Sequence, residues 1–95
     1  EGYKFMNELR EQFFGLIKEL EITSIDRWVE SRKFRRKEYK TYYIRCIIED
    51  KEYVMCMDEY QPTYRLMNSD RTFTLLLCHR FEFFEKELRR KCNHQ

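Results

Sequence analysis

The stretch "KTYYIRCIIEDKEYVMCMD", residues 40–58, contains two runs in which apolar side chains recur at every second position. One face of the first run carries Tyr42, Ile44, Cys46 and Ile48, and the other face carries Tyr43, Arg45 and Ile47. A period of two is the period of a β-strand, whose successive side chains point to opposite faces. Residues 49–52 are polar and form a short connection to the second run, residues 53–58. The stretch therefore predicts an antiparallel hairpin.

The segment after this hairpin continues the meander. Residues 63–67 predict a third strand, with Pro62 in the connection before it and a polar turn at residues 68–70. The next run, "RTFTLLLC", residues 71–78, fits either a strand or the first half of one long helix. Because Thr72 and Thr74 bracket Phe73 as in a strand, we predict a strand here and a helix over residues 79–92.

The N-terminal segment has the clearest helical pattern. Apolar residues at steps of three and four form a seam: Met6, Leu9, Phe13, Leu16 and Leu20. Only Gly15 disfavours the helix, by about 1 kcal/mol. We expect one flank of this helix to pack on the sheet and the other flank to contact a second chain. The seam itself is then either part of the core or an oligomer interface. Thr23, Ser24 and Asp26 predict either the end of the helix or the cap of a short turn that carries Trp28.

The predicted fold is thus α+β, with an N-terminal amphipathic helix, an antiparallel β-meander of 3–4 strands and a C-terminal helix packed on the sheet. A chain of 95 residues makes a single domain, residues 1–95, which we divide into a helix at 1–22, a sheet at 31–78 and a helix at 79–92. Phe, Tyr and Trp make up 17% of the chain, which is more ring surface than a core this small needs. The surplus predicts a protein partner. The first residue, Glu1, suggests a piece of a longer protein.

The strongest functional signal is "RKFRRKEYKTYYIR", residues 32–45, which holds seven basic side chains and one acid, Glu38. Single-stranded nucleic acid is held by cations along its phosphates and by rings on which its bases stack. The candidate contacts are Arg32, Lys33, Phe34, Arg35, Arg36, Lys37, Tyr39, Lys40, Tyr43 and Arg45. Within this set we expect the ring of Tyr43 and the guanidinium of Arg45 to share a face. Two other interpretations stay open: an edge strand whose charges only face water, and a surface for an acidic protein partner.

Other functional classes lack a signal in the sequence. The four cysteines show no paired spacing, and Cys78-His79 is too close a pair for both residues to bind one metal ion, so we predict no metal and no cofactor. The two glycines stand at positions 2 and 15, which excludes a glycine-rich phosphate loop. We predict no enzymatic activity, no small-molecule substrate and no membrane span. Unpaired cysteines in apolar runs favour an intracellular location, in the nucleus or the cytoplasm.

The order of these motifs resembles that of PUR repeats, a family of single-strand nucleic-acid binders with a ββββα plan. The likeness covers residues 31–91 and is carried by Lys40, Tyr42, Tyr43, Thr74, Leu76, Phe81, Phe84 and Leu88. The family's glycine-bearing turn is replaced by residues 49–52, and the N-terminal helix has no counterpart. The resemblance implies binding of single strands on the sheet face and pairing of two repeats, which in this chain requires a homodimer. The sequence thus predicts a self-associating module for single-stranded RNA or DNA, or alternatively an oligomerisation domain that uses the helix seam.

Overall fold

A computed structural model describes the backbone of residues 2–92 and the side chains of residues 7–92. Its elements are α1 (Gly2–Glu19), β1 (Thr23–Phe34), β2 (Lys37–Ile48), β3 (Lys51–Asp58), β4 (Thr63–Asn68), β5 (Thr74–Cys78) and α2 (Phe81–Cys92). All five strands pair antiparallel with their neighbours in sequence, in the order β1-β2-β3-β4-β5. The predicted α+β meander between two helices is confirmed, with five strands instead of three or four.

The added strand is β1, where the sequence predicted a helix end or a short turn around Trp28. β1 has twelve residues, of which only Trp28 and Glu30 are partly buried. An edge strand that is exposed on both faces shows no apolar alternation, so its sequence resembles a polar loop. Pairing with β2 along the whole strand holds it in place.

Helix α1 ends at Glu19, before the predicted boundary at residue 22, in a Schellman motif. The Ile22 N–H donates to the Ile17 carbonyl oxygen at 3.1 Å, and the Glu21 N–H donates to that of Lys18 at 3.0 Å. Glu21 adopts the left-handed conformation that this motif requires, with φ 56°. The chain therefore turns sharply from α1 into β1.

Two strand connections are tight two-residue turns with left-handed backbones. Glu49 and Asp50 (φ 52° and 66°) join β2 to β3, so Lys51 and Glu52, predicted as turn residues, belong to the strand. Arg35 and Arg36 (φ 53° and 69°) join β1 to β2 in the same way. Positive φ at both central positions identifies type I′ turns, which match the twist of the flanking strands.

Both helices pack on the same face of the sheet and close one hydrophobic core. The sheet contributes the predicted alternate residues of β2, continued by Tyr53, Met55, Met57, Tyr64 and Leu66. Helix α1 adds Leu9, Phe13, Leu16 and Ile17, and α2 adds Phe84 and Leu88. The preferred prediction for residues 71–92, a strand followed by a helix, is confirmed.

The second face of the sheet, which we call the open face, carries a smaller cluster. Its buried members are Tyr43, Val54, Cys56 and Met67, with Trp28 packed against them. The described helices both lie on the opposite face, so long side chains of the sheet itself must cover this cluster. These covering side chains determine which of the predicted binding residues are accessible to a ligand.

Candidate nucleic-acid interface

The structure divides the predicted binding residues between two places. The end of the β1–β2 hairpin holds Arg32, Lys33, Phe34, Arg35, Arg36, Lys37, Tyr39 and Lys40. Tyr43 lies farther along β2, in the cluster on the open face, and the Arg45 guanidinium lies 5.7 Å from the centre of the Trp28 ring of that cluster. Even at the hairpin end the side chains alternate: Arg32, Phe34 and Tyr39 share the open face, whereas Lys33 and Lys40 point to the other face.

Three aromatic rings form what we call the tip cluster: Phe34, Tyr39 and Tyr60. The ring centroid of Tyr60 lies 4.5 Å from that of Tyr39 and 5.4 Å from that of Phe34, both edge to face. Phe34 and Tyr60 keep 47% and 43% of their surface exposed. The rings are thus packed against one another yet still present surface on which another ring can stack.

Tyr60 comes from the β3–β4 turn and was missed by the sequence analysis. It stands in a polar segment, residues 58–63, two positions before Pro62. The only feature of the sequence that could have identified Tyr60 as a site residue is its position as a single tyrosine within a polar turn. Its pairing with Phe34 depends on the meander, which brings the β3–β4 turn to the same end of the sheet as the β1–β2 turn.

Hydrogen bonds fix the β3–β4 turn against the hairpin. Asp58 forms an ion pair with Arg32 and accepts a hydrogen bond from the Tyr60 N–H at 3.0 Å. Glu59 accepts hydrogen bonds from the Tyr42 hydroxyl at 3.1 Å and from the Lys40 N–H at 3.3 Å. Arg32 also donates to Thr41 Oγ1 at 3.2 Å. Arg32 is therefore oriented and neutralised within the chain.

Between the hairpin and the turn lies a cleft of about 340 Å³. Its lining combines the tip cluster with polar groups: Arg32, Lys33, Phe34, Tyr39, Asp58, Tyr60, Gln61 and Thr63. A cleft with aromatic walls and hydrogen-bonding groups on the remaining sides suits a flat polar ring such as a nucleobase.

The cations at the turn differ from Arg32 in having no acidic partner. Among the described residues, no carboxylate forms an ion pair with Arg35, Arg36 or Lys37, all of which are exposed. The Arg35 guanidinium lies 5.2 Å from the centre of the Phe34 ring. These charges therefore remain available to an external anion, next to an exposed ring.

The two rings of the open-face cluster, Trp28 and Tyr43, are already in contact with other side chains. Trp28 stacks on Tyr43 with centroids 5.1 Å apart and planes inclined by 9°. The Arg71 guanidinium also lies 4.5 Å from the centre of the Tyr43 ring and donates to the Tyr43 hydroxyl at 3.3 Å. Only 6% of Tyr43 is exposed. No base can stack on that ring without displacing Trp28 or Arg71.

The charges around this stack are paired as well. Glu30 accepts hydrogen bonds at 3.0 Å from Trp28 Nε1 and from Arg71, and these bonds hold its pKa below the ordinary value. Arg45 donates to Glu52 Oε2 at 2.8 Å and to the Ser69 carbonyl oxygen at 2.9 Å. The expected pairing of an open Tyr43 ring with a free Arg45 guanidinium is therefore not available in this structure.

The helix seam, predicted as an oligomer interface, is used by the chain itself. Leu9, Phe13 and Leu16 are buried in the core, and Leu20 is partly buried against it. The Met6 side chain lies outside the described residues. From Leu9 to Leu20, the described part of the α1 seam therefore packs against the core of its own chain.

The cysteines lie in apolar surroundings. Cys46 and Cys56 are buried, and Cys78 and Cys92 are partly buried, all as free thiols. Burial raises the pKa of Cys46 to about 12 and also raises that of Cys56, so both thiols stay protonated near neutral pH. Within the part of the chain that the structure describes, no group of three or more His, Cys, Asp or Glu residues could hold a metal ion.

None of the described helices is both long enough and apolar enough to cross a membrane. Comparisons with protein-family models, curated proteins and solved structures find no match to this chain. The function must therefore be argued from the geometry of the hairpin end.

Proposed function

We propose that this chain is a non-enzymatic module that binds single-stranded nucleic acid at the end of its β1–β2 hairpin. One observation carries the proposal. Two half-exposed rings, Phe34 and Tyr60, lie 5.4 Å apart beside the unpaired cations Arg35, Arg36 and Lys37. Rings for bases and cations for phosphates are the two parts that such binding requires.

The contacts follow from this arrangement. A base stacks on the exposed part of Phe34 or Tyr60, which contributes roughly 1–3 kcal/mol per base. A second base enters the cleft, where Gln61 and Thr63 offer hydrogen bonds. Arg35, Arg36 and Lys37 neutralise the adjoining phosphates. Since stacking accepts every base, we expect little sequence selectivity.

The backbone of the β1–β2 turn supports the same proposal. Arg35 and Arg36 both occupy the left-handed region, where glycine and asparagine are favoured and arginine is strained. Strain of about 1 kcal/mol or more is expected equally at Glu49 and Asp50 in the other two-residue turn, so the feature particular to the β1–β2 turn is its positive charge. Two arginines at these positions raise the density of positive charge at the outermost point of the hairpin.

The wider setting is also a proposal. Buried free thiols suit a reducing compartment, so we place the module in the nucleus or the cytoplasm. The PUR resemblance would put the single strand on the sheet face; because Tyr43 is covered there, we place the contact at the hairpin end instead. A protein-interaction role is the second candidate, and the exposed leucines of the edge strand β5, Leu75 and Leu77, favour it.

The test is a titration of a labelled single-stranded oligonucleotide with the chain at two salt concentrations. The account predicts binding that weakens as salt rises, because each neutralised phosphate releases counterions. Replacing Arg35, Arg36 and Lys37 by alanine should remove about two units from the slope of log K against log salt. Absence of binding at low salt would refute the proposal.

A matched control variant distinguishes binding at this site from a general electrostatic attraction to the positive charge of the chain. Lys18, Lys51 and Lys86 are exposed and lie outside the hairpin end and the β3–β4 turn, so their replacement by alanine removes the same charge elsewhere. This variant should keep nearly all of the affinity and the original salt slope. Equal losses in the two triple variants would show that net charge, and not the hairpin end, determines binding.

A further inference from the structure

The arginines of the open face differ in whether a carboxylate neutralises them. Three of them each form an ion pair with a carboxylate from another part of the sheet: Arg32 with Asp58, Arg45 with Glu52, and Arg71 with Glu30. Arg65 of β4 lies on the same face, because it pairs across the strands with Cys56 of the open-face cluster. Among the described residues, no carboxylate forms an ion pair with Arg65. Its charge therefore lacks the compensation that the other three receive.

The surroundings of Arg65 also leave its guanidinium short of hydrogen bonds. The side chain is partly buried, and its Nε–H is shielded from solvent without any hydrogen-bond partner. The residues opposite it are Cys56 on β3 and Leu77 on β5, neither of which carries a charge. A polar group that loses water without gaining a hydrogen bond costs free energy. An external anion that draws the guanidinium outward would remove this cost, and phosphate matches its planar donors.

Arg65 lies directly beyond the cleft at the hairpin end. Thr63, which lines the cleft, precedes it by two residues on the same face of β4. Two residues of a strand span about 6.6 Å, which is comparable to the length of one nucleotide in an extended single strand. The Asp58 carboxylate, opposite Thr63, is paired with Arg32, so its negative charge is already compensated. A strand with one base in the cleft can therefore reach Arg65 with its next phosphate.

The other course across the open face, along β2, offers no comparable contact. Tyr43 is only 6% exposed, and the Arg45 guanidinium already donates to partners within the chain. On the β4 side, by contrast, Leu77 lies opposite Arg65 and keeps 54% of its surface exposed, so a sugar or a base has apolar surface to rest on. The open face thus favours one exit from the cleft, past Arg65.

We infer that Arg65 binds the phosphate beyond the base in the cleft, so that a bound single strand leaves the hairpin end along β4. This inference rests on the proposed function and extends it by a second phosphate site, separate from Arg35, Arg36 and Lys37. The ligand is then a strand that continues past the cleft, and not an isolated nucleotide. Because the contact is made to phosphate, Arg65 adds affinity without a preference for any base.

The first experiment compares Arg65→Ala with Arg90→Ala, which removes an arginine from α2 on the opposite face. With labelled oligothymidylate at low salt, Arg65→Ala should weaken binding by about tenfold, the effect of one charged hydrogen bond. The slope of log K against log salt should become shallower by about 0.7, the value for one phosphate of a single strand. Arg90→Ala should keep the affinity and the slope of the unmodified chain.

The outcomes separate this inference from the proposed function. If Arg65→Ala binds as tightly as the unmodified chain while alanine at Arg35, Arg36 and Lys37 weakens binding, the inference is wrong and the proposed function stands. Absence of binding by the unmodified chain overturns both. Arg65→Lys keeps the charge and should keep the salt slope, and a slope as shallow as that of Arg65→Ala would contradict a phosphate contact. Circular dichroism establishes that each variant is folded.

A chemical change in the ligand locates the contact directly. A short oligothymidylate that just spans the site is prepared as a series, each member with one phosphate replaced by an uncharged methylphosphonate. At one position the unmodified chain should lose about tenfold in affinity, whereas Arg65→Ala should lose nothing further. Such non-additivity identifies two groups that contact each other. If both chains lose the same factor at every position, Arg65 does not bind a phosphate and the inference is wrong.

Discussion

Tyr60 stands edge-on to Tyr39, with ring centroids 4.5 Å apart and planes inclined by 75°. This contact joins the beginning of β2 to the β3–β4 turn, which follows it in sequence only after the rest of β2 and all of β3. Because Asp58 and Glu59 also bond to the hairpin, the ring of Tyr60 is held beside that of Phe34 before any ligand arrives. A binding surface formed in advance avoids part of the entropy that ordering it would cost.

Removal of the two exposed rings should weaken nucleic-acid binding without unfolding the chain. Phe34→Ala and Tyr60→Ala should each reduce affinity roughly 5- to 150-fold, the equivalent of about 1–3 kcal/mol of lost base stacking. Since both rings are half exposed, stability should change little. Fluorescence anisotropy with a labelled oligonucleotide measures the affinity. Phe83, a similarly exposed ring on α2, supplies the control, and a Phe83→Ala variant that loses as much affinity would argue against the tip cluster.

Relief of strain in the β1–β2 turn should stabilise the fold and impair binding. Arg35→Asn with Arg36→Gly introduces the residues that a type I′ turn favours, and we expect the free energy of unfolding to rise by about 1 kcal/mol. Binding should weaken because two cations are lost. Urea denaturation and oligonucleotide titration measure the two effects separately.

The second type I′ turn provides the matched control. Asp50→Gly, which leaves Glu49 in place, should also raise the free energy of unfolding, while binding stays equal to, or slightly tighter than, that of the unmodified chain. If both turn variants bind the oligonucleotide equally well, Arg35 and Arg36 do not contact the ligand.

Replacement of Gly15 should stabilise α1. A Cβ atom at this position would have no neighbour within 4 Å, and glycine in a helix interior costs about 1 kcal/mol relative to alanine. Gly15→Ala should therefore raise the free energy of unfolding by about that amount in chemical denaturation. A loss of stability would mean that α1 packs more closely around residue 15 than the structure shows.

The fold should lose stability at alkaline pH. Burial raises the pKa of Cys46 from 9.0 in the unfolded chain to about 12 in the folded chain. Between these values the unfolded chain binds fewer protons than the folded chain, so the free energy of unfolding falls as pH rises. Burial also raises the pKa values of Tyr42 and Tyr64, which adds to the loss.

Denaturant titrations at pH 9.0 and above measure this effect. Cys46→Ala should show a shallower alkaline decline than the unmodified chain, because one titrating group has been removed. An identical decline in both proteins would show that Cys46 does not contribute.

The sequence could predict those elements whose residues are buried on one side. Ile44, Cys46 and Ile48 alternate because the helices cover one face of β2, and Leu9, Phe13 and Leu16 follow a helical period because α1 packs there. β1 was missed because neither of its faces is covered well enough to impose a pattern. Its strand character comes from pairing with β2, which no local signal records.

The candidate site was predicted only in part, for a related reason. Residues 32–37 were recognised from local composition. Whether the Tyr43 ring is exposed, however, depends on Arg71, which lies far along the chain. Whether the Arg45 guanidinium is free to bind a ligand likewise depends on its partners Glu52 and Ser69. Intramolecular partners of this kind arise from the meander topology, and a run of basic and aromatic residues does not reveal them.

The most direct test of the central claim is an NMR chemical-shift map of the unmodified chain during titration with a short single-stranded oligonucleotide at low salt. The account predicts shifts concentrated in residues 32–40 and 58–63, with α1 and α2 unaffected by the oligonucleotide. An unchanged spectrum, or shifts concentrated on the helices, would contradict binding at the hairpin end.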